Sequence, residues 1–189
     1  MKFEIDDGVY PPAEDTYLLL DAIEIDGTDS FLEVGCGAGL ISMAAARVAK
    51  TVIAIDSSLD AIKNTARNFI ANSVDGRSCV VQSDLLSALA RDARFSVIAF
   101  NPPYLPEDGI VTEMDHVFVG GGSGVELTER FIQQAIPHLE KSGRIYIVVS
   151  TLADIERITN FMESQNLQVN VIAEAQFFFE AIRILKGRS

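Results

Sequence analysis

The chain has 189 residues, 48% hydrophobic and 22% charged, which predicts one domain over 1–189 with a sizeable core and excludes bulk disorder. Acidic side chains number 27 against 15 basic ones, and the resulting charge of −12 opposes unaided contact with nucleic-acid backbones or anionic membranes. Two distant cysteines, Cys36 and Cys79, offer neither a disulfide framework nor a zinc site; with no signal-peptide pattern and no apolar run of spanning length, the expectation is a reduced, cytoplasmic protein without a metal of its own.

In chain order, residues 16–23 read as a short helix behind Pro11-Pro12. A strand at 30–34 runs into Gly35, and the Ala-rich stretch 40–48 is helical. A second strand, 51–55, ends at Asp56, and 60–72 carries Ala61, Ile62, Ala66, Phe69 and Ile70 near a 3.6 period. Cys79-Val-Val81 is a short third strand before Asp84, and 95–100 is a fourth, ending at Asn101-Pro102. A helix follows at 127–139, closed by Ser142-Gly143, then a fifth strand at 144–150 and a helix at 153–165. The runs 168–172 and 177–186 are strand-like, with only 173–176 between them; no crossover helix fits there, so the pair is expected to be antiparallel. Strands separated by helices call for an α/β, Rossmann-like architecture: a mostly parallel sheet of seven strands with helices on both faces.

Glu33-Val-Gly35-Cys-Gly37-Ala-Gly39 joins the first strand to the first crossover helix. Glycines there permit positive φ and let a ligand press on the backbone, at the carboxyl ends of parallel strands where such sheets bind ligands. Leu40 stands where a dinucleotide fingerprint requires a third small residue, which weakens a nicotinamide reading. Asp56, 21 positions after Gly35, suits the two hydroxyls of a ribose, although it or Ser57 would also serve as a helix cap. Glu33, Asp56 and Asp84 at three successive strand ends suit a ligand with an adenosine and a cationic ammonium or sulfonium group. They suit a polyphosphate badly, and no GxxxxGK[ST] loop is present.

In Asn101-Pro-Pro-Tyr104 the prolines stiffen a turn whose acceptors are the Asn101 side-chain oxygen and the Pro102 carbonyl. Two acceptors on a rigid turn can hold both hydrogens of one planar NH2 group, aiming a delocalised lone pair at an electrophile. The face of Tyr104 can pack on the flat group that carries the nitrogen. The competing reading is an ordinary loop built from turn formers.

Taken together these motifs resemble the class I methyltransferases that use S-adenosylmethionine and act on amino nitrogen. The opening Val9-Tyr-Pro-Pro-Ala-Glu-Asp-Thr-Tyr-Leu-Leu-Leu-Asp21 resembles, more narrowly, the HemK-type glutamine N5-methyltransferases of archaea and eukaryotes. The similarity runs over about 9–184. It implies a target, the glutamine of a Gly-Gly-Gln motif in a class I peptide-chain release factor. It also implies that Thr16, Glu33, Gly35, Gly37, Asp56, Asp84, Leu85 and Asn101 contact the cofactor, with Asp56 on the ribose and Asp84 and Leu85 on the adenine. Asn101, Pro102, Pro103 and Tyr104 would hold the side-chain amide, with Asn101, Pro102 and Tyr104 in the catalytic role. The segment 1–29 would contribute to the cofactor site and is too short for the helical domain of the bacterial enzymes. Gly120-Gly-Gly-Ser-Gly124 matches the family's glycine-rich loop, while Ser57-Ser58 replaces the Asn-Pro often found after the ribose acid. The short forms are associated with a small zinc-binding activator, for which Cys79-Val-Val81 at a sheet edge is the expected docking strand.

Two other functions remain open at this point. The Asn-Pro-Pro-Tyr chemistry suits the exocyclic amine of adenine or guanine equally well, against which stand the charge of −12 and the lack of a Lys/Arg cluster. A non-catalytic cofactor-binding subunit is the other, against which stands the intact motif. His116 and His138 are expected to face solvent, Cys36 to pack as a small hydrophobe, Phe177-Phe-Phe179 to form a buried strand, and the acids at 6–7 and 24–29 to form a solvated face.

Overall fold

A computed structural model describes residues 2–103, 125–177 and 179–189. In chain order its elements are α1 (Glu14–Ala22), β1 (Ser30–Val34), α2 (Leu40–Ala45), β2 (Thr51–Asp56), α3 (Leu59–Ala71), β3 (Ser78–Gln82), β4 (Phe95–Phe100), α4 (Glu126–Ala135), β5 (Leu139–Ser150), α5 (Ile155–Ser164), β6 (Gln168–Gln176) and β7 (Ala181–Arg188). They build a seven-stranded sheet in the order β3-β2-β1-β4-β5-β7-β6. The first five strands are parallel, and β7 runs antiparallel between β5 and β6. The expected class I architecture is therefore the one observed, with β3 at an edge.

Alternation along the central strands feeds two cores. Leu32, Val34, Ile98, Phe100, Ile145, Ile147 and Val149 face α4 and α5, where the Phe100 and Phe131 rings pack with centroids 4.4 Å apart. Phe31, Val97, Ala99, Tyr146 and Val148 face the opposite side, against Leu19, Ile41, Met43 and Phe69 of the first three helices. Both faces of β1 and β4 are thus dry, which is why these strands are almost continuously apolar. The chain leaves β1 toward β2 on one side and returns to β4 on the other. That reversal opens a crevice beyond the carboxyl ends of β1 and β4.

An extended N-terminal strap is laid along α3 by three asparagines spaced one helical turn apart. The Oδ1 atoms of Asn72, Asn68 and Asn64 accept from the backbone N–H groups of Lys2, Glu4 and Asp6 at 3.0, 3.0 and 2.6 Å. Their Nδ2 atoms donate back to the carbonyls of Lys2 and Glu4. Asn68 also donates to the Ala38 carbonyl at 2.9 Å, tying the strap to the glycine loop. Asp6 is held by Arg67 as well. This strap carries the chain into 8–12, the roof of the crevice.

Several expectations are corrected. The helix expected over 127–139 ends at Ala135, because Pro137 cannot continue it, and 139–143 join β5. β6 continues through 173–176, past a register shift between Val171 and Ala173, so the expected turn is strand. The connection instead falls after Gln176 and before Ala181, where the Phe177 N–H donates to the Glu180 carbonyl at 2.8 Å. Phe177 packs on the core and Phe179 is exposed, so neither belongs to the expected buried strand, and Phe178 lies outside the described residues. His138 is buried, with Nδ1 2.9 Å from the Ala93 carbonyl, instead of facing solvent. Asp29 is buried too, paired with Arg144 at 2.7 Å and accepting from Ser96 Oγ at 2.7 Å, and so leaves the solvated face. His116 lies outside the described residues.

Asn68→Ala removes bonds to both Glu4 backbone groups and takes its donor from the carbonyl of the buried Ala38. A loss of about 2 kcal/mol in unfolding free energy is expected, read from the urea midpoint. Amide exchange should accelerate at 2–6 before it does in the sheet.

Candidate active site

The crevice is a cavity of about 410 Å³, within the range of small-molecule and cofactor sites. Thr16, Glu33, Gly35, Gly37, Asp56, Asp84, Leu85, Asn101, Pro102 and Pro103 all line it, so the structure brings these sequence-chosen residues together in one place. Tyr104 and residues 105–124 lie outside the described residues. Tyr10 and Asp15 also line the cavity and escaped the sequence reading. Asp15 follows Glu14 in the first turn of α1, where acids are ordinary partners of the helix dipole, so nothing in the pattern separated it from its neighbour.

The floor is the turn from β1 into α2. Gly35, Gly37 and Gly39 have φ of 69°, 52° and 82°, so each needs the freedom that glycine has. A Cβ on Gly39 would also stand 2.7 Å from Thr65 Cγ2. Gly39 caps α2 without a side chain, and Glu33 supplies the missing cap: its Oε2 accepts from the Ser42 N–H at 2.8 Å and from Ser42 Oγ. This carboxyl is fully buried, which pushes its pKa up to about 8, against the two bonds from Ser42 and with some help from Asp56. Asp56, at the end of β2, accepts from the Gly37 N–H and the Ser58 N–H, both at 2.9 Å. Burial raises its pKa more than these backbone bonds lower it. Cys36 is buried between them, and desolvation and the two carboxyls hold its thiol well above the usual range, so it is no nucleophile.

Asp84 sits at the rim, largely exposed, and accepts from Arg130 of α4 at 3.0 Å. The following Leu85 is buried with φ of 49°, and the Leu86 N–H donates to Gln134 Oε1 at 3.1 Å. The turn after β3 is thus fastened to α4 at two points.

Opposite the glycine loop stands the end of β4. A Cβ on Gly35 would meet Phe100 Cε2 at 3.3 Å and the Asn101 carbonyl at 3.6 Å, so the two strand ends touch. The Asn101 side chain donates Nδ2–H to Asp15 Oδ2 at 3.0 Å. Its other end, Oδ1, is buried with no hydrogen-bond partner among the described residues. A buried acceptor left open in a cavity wall is costly unless a ligand fills it.

Comparison with known proteins places these features in context. A family model described as "Methyltransferase small domain" matches residues 3–179. A Methanocaldococcus jannaschii protein assigned as a protein N5-glutamine methyltransferase is 33% identical over 99% of this chain and 95% of its own length. Methyltransferase HEMK2 of Mus musculus is 30% identical over 94% of this chain and 88% of its own. Among solved structures, the E. cuniculi Mtq2–Trm112 complex, described as responsible for methylation of the eRF1 translation termination factor, superposes with a TM-score of 0.75 at 24% identity, covering 96% of this chain and 98% of that one.

The raised Glu33 carboxyl sets a sign for stability against pH. Between about 4.5 and about 8 the unfolded chain has lost this proton while the native one keeps it, so the native state binds more protons and stability falls as pH rises. Asp56 contributes in the same direction. Thermal melts of the ligand-free protein should show Tm declining from pH 5 to 8, with a shallower decline in Glu33→Gln.

Proposed function

We propose, of a chain that belongs to the methyltransferase small-domain family, that it methylates the side-chain amide nitrogen of the glutamine in a Gly-Gly-Gln motif of a class I release factor, using S-adenosylmethionine. The protein is a methyltransferase, and the observation that carries the finer reading is the buried Oδ1 of Asn101 in the cavity wall, which has no partner among the described residues. An open acceptor next to a second one, the Pro102 carbonyl, is what the two hydrogens of a planar NH2 group require. The name of the archaeal relative, protein N5-glutamine methyltransferase, points to the same nitrogen, and the superposed complex is described as methylating a translation termination factor.

The residues present fit the cofactor. Four carboxyls, those of Asp15, Glu33, Asp56 and Asp84, line a cavity with no lysine or arginine among its described lining residues, which suits a ligand bearing ammonium and sulfonium charges. Asp56 is positioned at a strand end for ribose hydroxyls, Asp84 with Leu85 for an adenine edge, and Glu33 below the glycine loop for the amino-acid end. Thr16 and Gly35 close the wall on the side of Asn101. When bound, the cofactor supplies an electrophilic methyl carbon, whose bond to sulfur breaks as a bond to the substrate nitrogen forms.

The chain's own part is orientation. An amide nitrogen is a poor nucleophile because its lone pair is shared with the carbonyl. Asn101 Oδ1 and the Pro102 carbonyl hold its two hydrogens, so the nitrogen pyramidalises without searching for that geometry, and the same bonds strengthen as it gains positive charge. Once methylated, the nitrogen is acidic enough to release a proton to water, and no side-chain base is required.

A base-directed activity is the second reading, and the acidity of the chain disfavours it. A complex with a small zinc-binding partner is part of the proposal. β3 is an edge strand with Cys79 exposed, so its free side can accept a strand from another protein. The superposed relative is itself half of a two-protein complex.

Mass spectrometry of a release factor incubated with the protein, its co-purified partner and cofactor should show a 14 Da gain, about one methyl group, on the Gly-Gly-Gln glutamine, and DNA and RNA should gain none. Asn101→Ala should lower that rate by about 100-fold or more while calorimetric cofactor binding persists. Methylation of nucleic acid in place of the release factor refutes the substrate assignment. Cys79→Lys should abolish recovery of a zinc-containing partner while leaving the circular dichroism spectrum unchanged; retention of the partner moves the docking site elsewhere.

A further inference from the structure

The orientation of the Asn101 amide is not set by Asn101. A carboxamide has two ends of nearly equal shape, one acceptor and one donor, and half a turn about the last torsion exchanges them. Presented the wrong way, its NH2 would face the substrate NH2, donor against donor. Nothing in the stiff turn at Pro102 and Pro103 prevents this, because proline restrains the backbone and not the amide.

Asp15 does prevent it. A carboxylate only accepts, so the end of the amide that meets Oδ2 at 3.0 Å must be Nδ2, and Oδ1 is the end left for the substrate. Asp15 is in turn fixed from its other side. Its Oδ1 accepts from the Thr16 N–H at 2.5 Å and from Thr16 Oγ1 at 3.1 Å. The Tyr10 hydroxyl lies 3.1 and 3.0 Å from its two oxygens. Burial and the Asp15 charge push the Tyr10 pKa far up, so the hydroxyl keeps its proton and stays a donor. Asp15 itself is buried, so water does not compete for Nδ2.

We propose that Asp15, held by Tyr10 and Thr16, is a positioning residue for transfer: it locks the Asn101 amide with its oxygen toward the reacting nitrogen. This deepens the glutamine-amide reading and rests on it for the identity of the substrate. The strap along α3 and the roof at 8–12 then have a chemical role, since they deliver Tyr10 and Asp15 to the end of β4. A residue serving only as a helix-start acid would affect folding or cofactor affinity, and would not care which end of the amide it meets.

A reciprocal exchange separates the two. Asp15→Asn frees the amide to turn, and Asn101→Asp sets two carboxylates face to face. The double exchange Asp15→Asn/Asn101→Asp rebuilds the bond with donor and acceptor reversed and still leaves one oxygen facing the substrate. Each is assayed as the full chain with any co-purified partner, by single-turnover methylation of the release factor and by calorimetric cofactor affinity. Each single variant should lose about 100-fold in kcat with cofactor Kd changed by less than about threefold, and the double variant should recover at least about tenfold over either. Wild-type kcat in Asp15→Asn, or a double variant that binds cofactor normally yet is no faster than the singles, overturns the proposal. Should Asp15→Asn fail to fold, the double variant decides alone: normal affinity with no recovery over Asn101→Asp overturns it.

An independent reading needs no substrate. The Asn101 side-chain NH2 signals in a ¹H–¹⁵N spectrum, identified by their loss in Asn101→Asp, should exchange slowly in the wild type and fast in Asp15→Asn. Equal exchange in both overturns the lock. A wild-type protein that leaves the release factor unmodified while showing slow Asn101 exchange refutes the substrate assignment and retains the lock.

Discussion

The hydrogen bond from Asn101 to Asp15 joins segments 86 residues apart and makes one site of two walls. On one side stands the end of β4, whose Phe100 and Asn101 touch Gly35 at the end of β1. On the other stands the N-terminal strap, which has no strand to pair with and is instead laid on α3 by Asn64, Asn68 and Asn72. Without the strap the crevice would still exist, since the sheet alone creates it. Its roof, and the fixed acceptor at its wall, would not.

The three acids at the strand ends look equivalent in the sequence and are used differently. Glu33 is buried beneath α2 and does the work of a missing helix cap. Asp56 bridges two loops through backbone N–H groups. Asp84 is mostly in water, tied to Arg130. The site therefore grades from dry and carboxyl-rich at its floor to wet at its rim. Electrostatics at the floor favour a cation, because one would relieve two carboxyls that burial pushes toward their neutral forms. A phosphate there would meet the opposite field.

Strand positions are legible because β1, β2 and β4 are apolar over most of their length and run into glycine, acid or Asn-Pro, signals that no helix of this length would share. Helix ends were less so. Pro137 is visible in the sequence, yet the apolar period before it invites continuation to 139. The last hairpin is misplaced because the bulge near Val171 puts its alternation out of phase, and the Ala-Glu-Ala-Gln that follows lacks the β-branched residues that mark a strand. Asp29 and His138 were misjudged for one reason: polar residues near loops read as solvated, and only the folded chain brings Arg144, Ser96 and the Ala93 carbonyl to them. Asp15 is the consequential case. Its partners Tyr10 and Thr16 are local and its function is not, since the bond that matters joins it to a residue 86 positions along the chain.

Chemistry at the reacting end distinguishes little beyond a nitrogen with two hydrogens. An amide, and an amine on a nucleobase, both satisfy Asn101 Oδ1 and the Pro102 carbonyl. Selection must then occur before the nitrogen arrives, at the surface that admits the substrate. That surface belongs to a chain of −12 charge. A polyanion approaching it pays Coulomb repulsion along its whole contact, whereas a protein loop carrying two glycines ahead of its glutamine brings little charge and little bulk to the cavity mouth. The same catalytic turn can therefore serve different substrates in different folds, and in this one the charge of the exterior and the locked amide of the interior converge on a protein side chain.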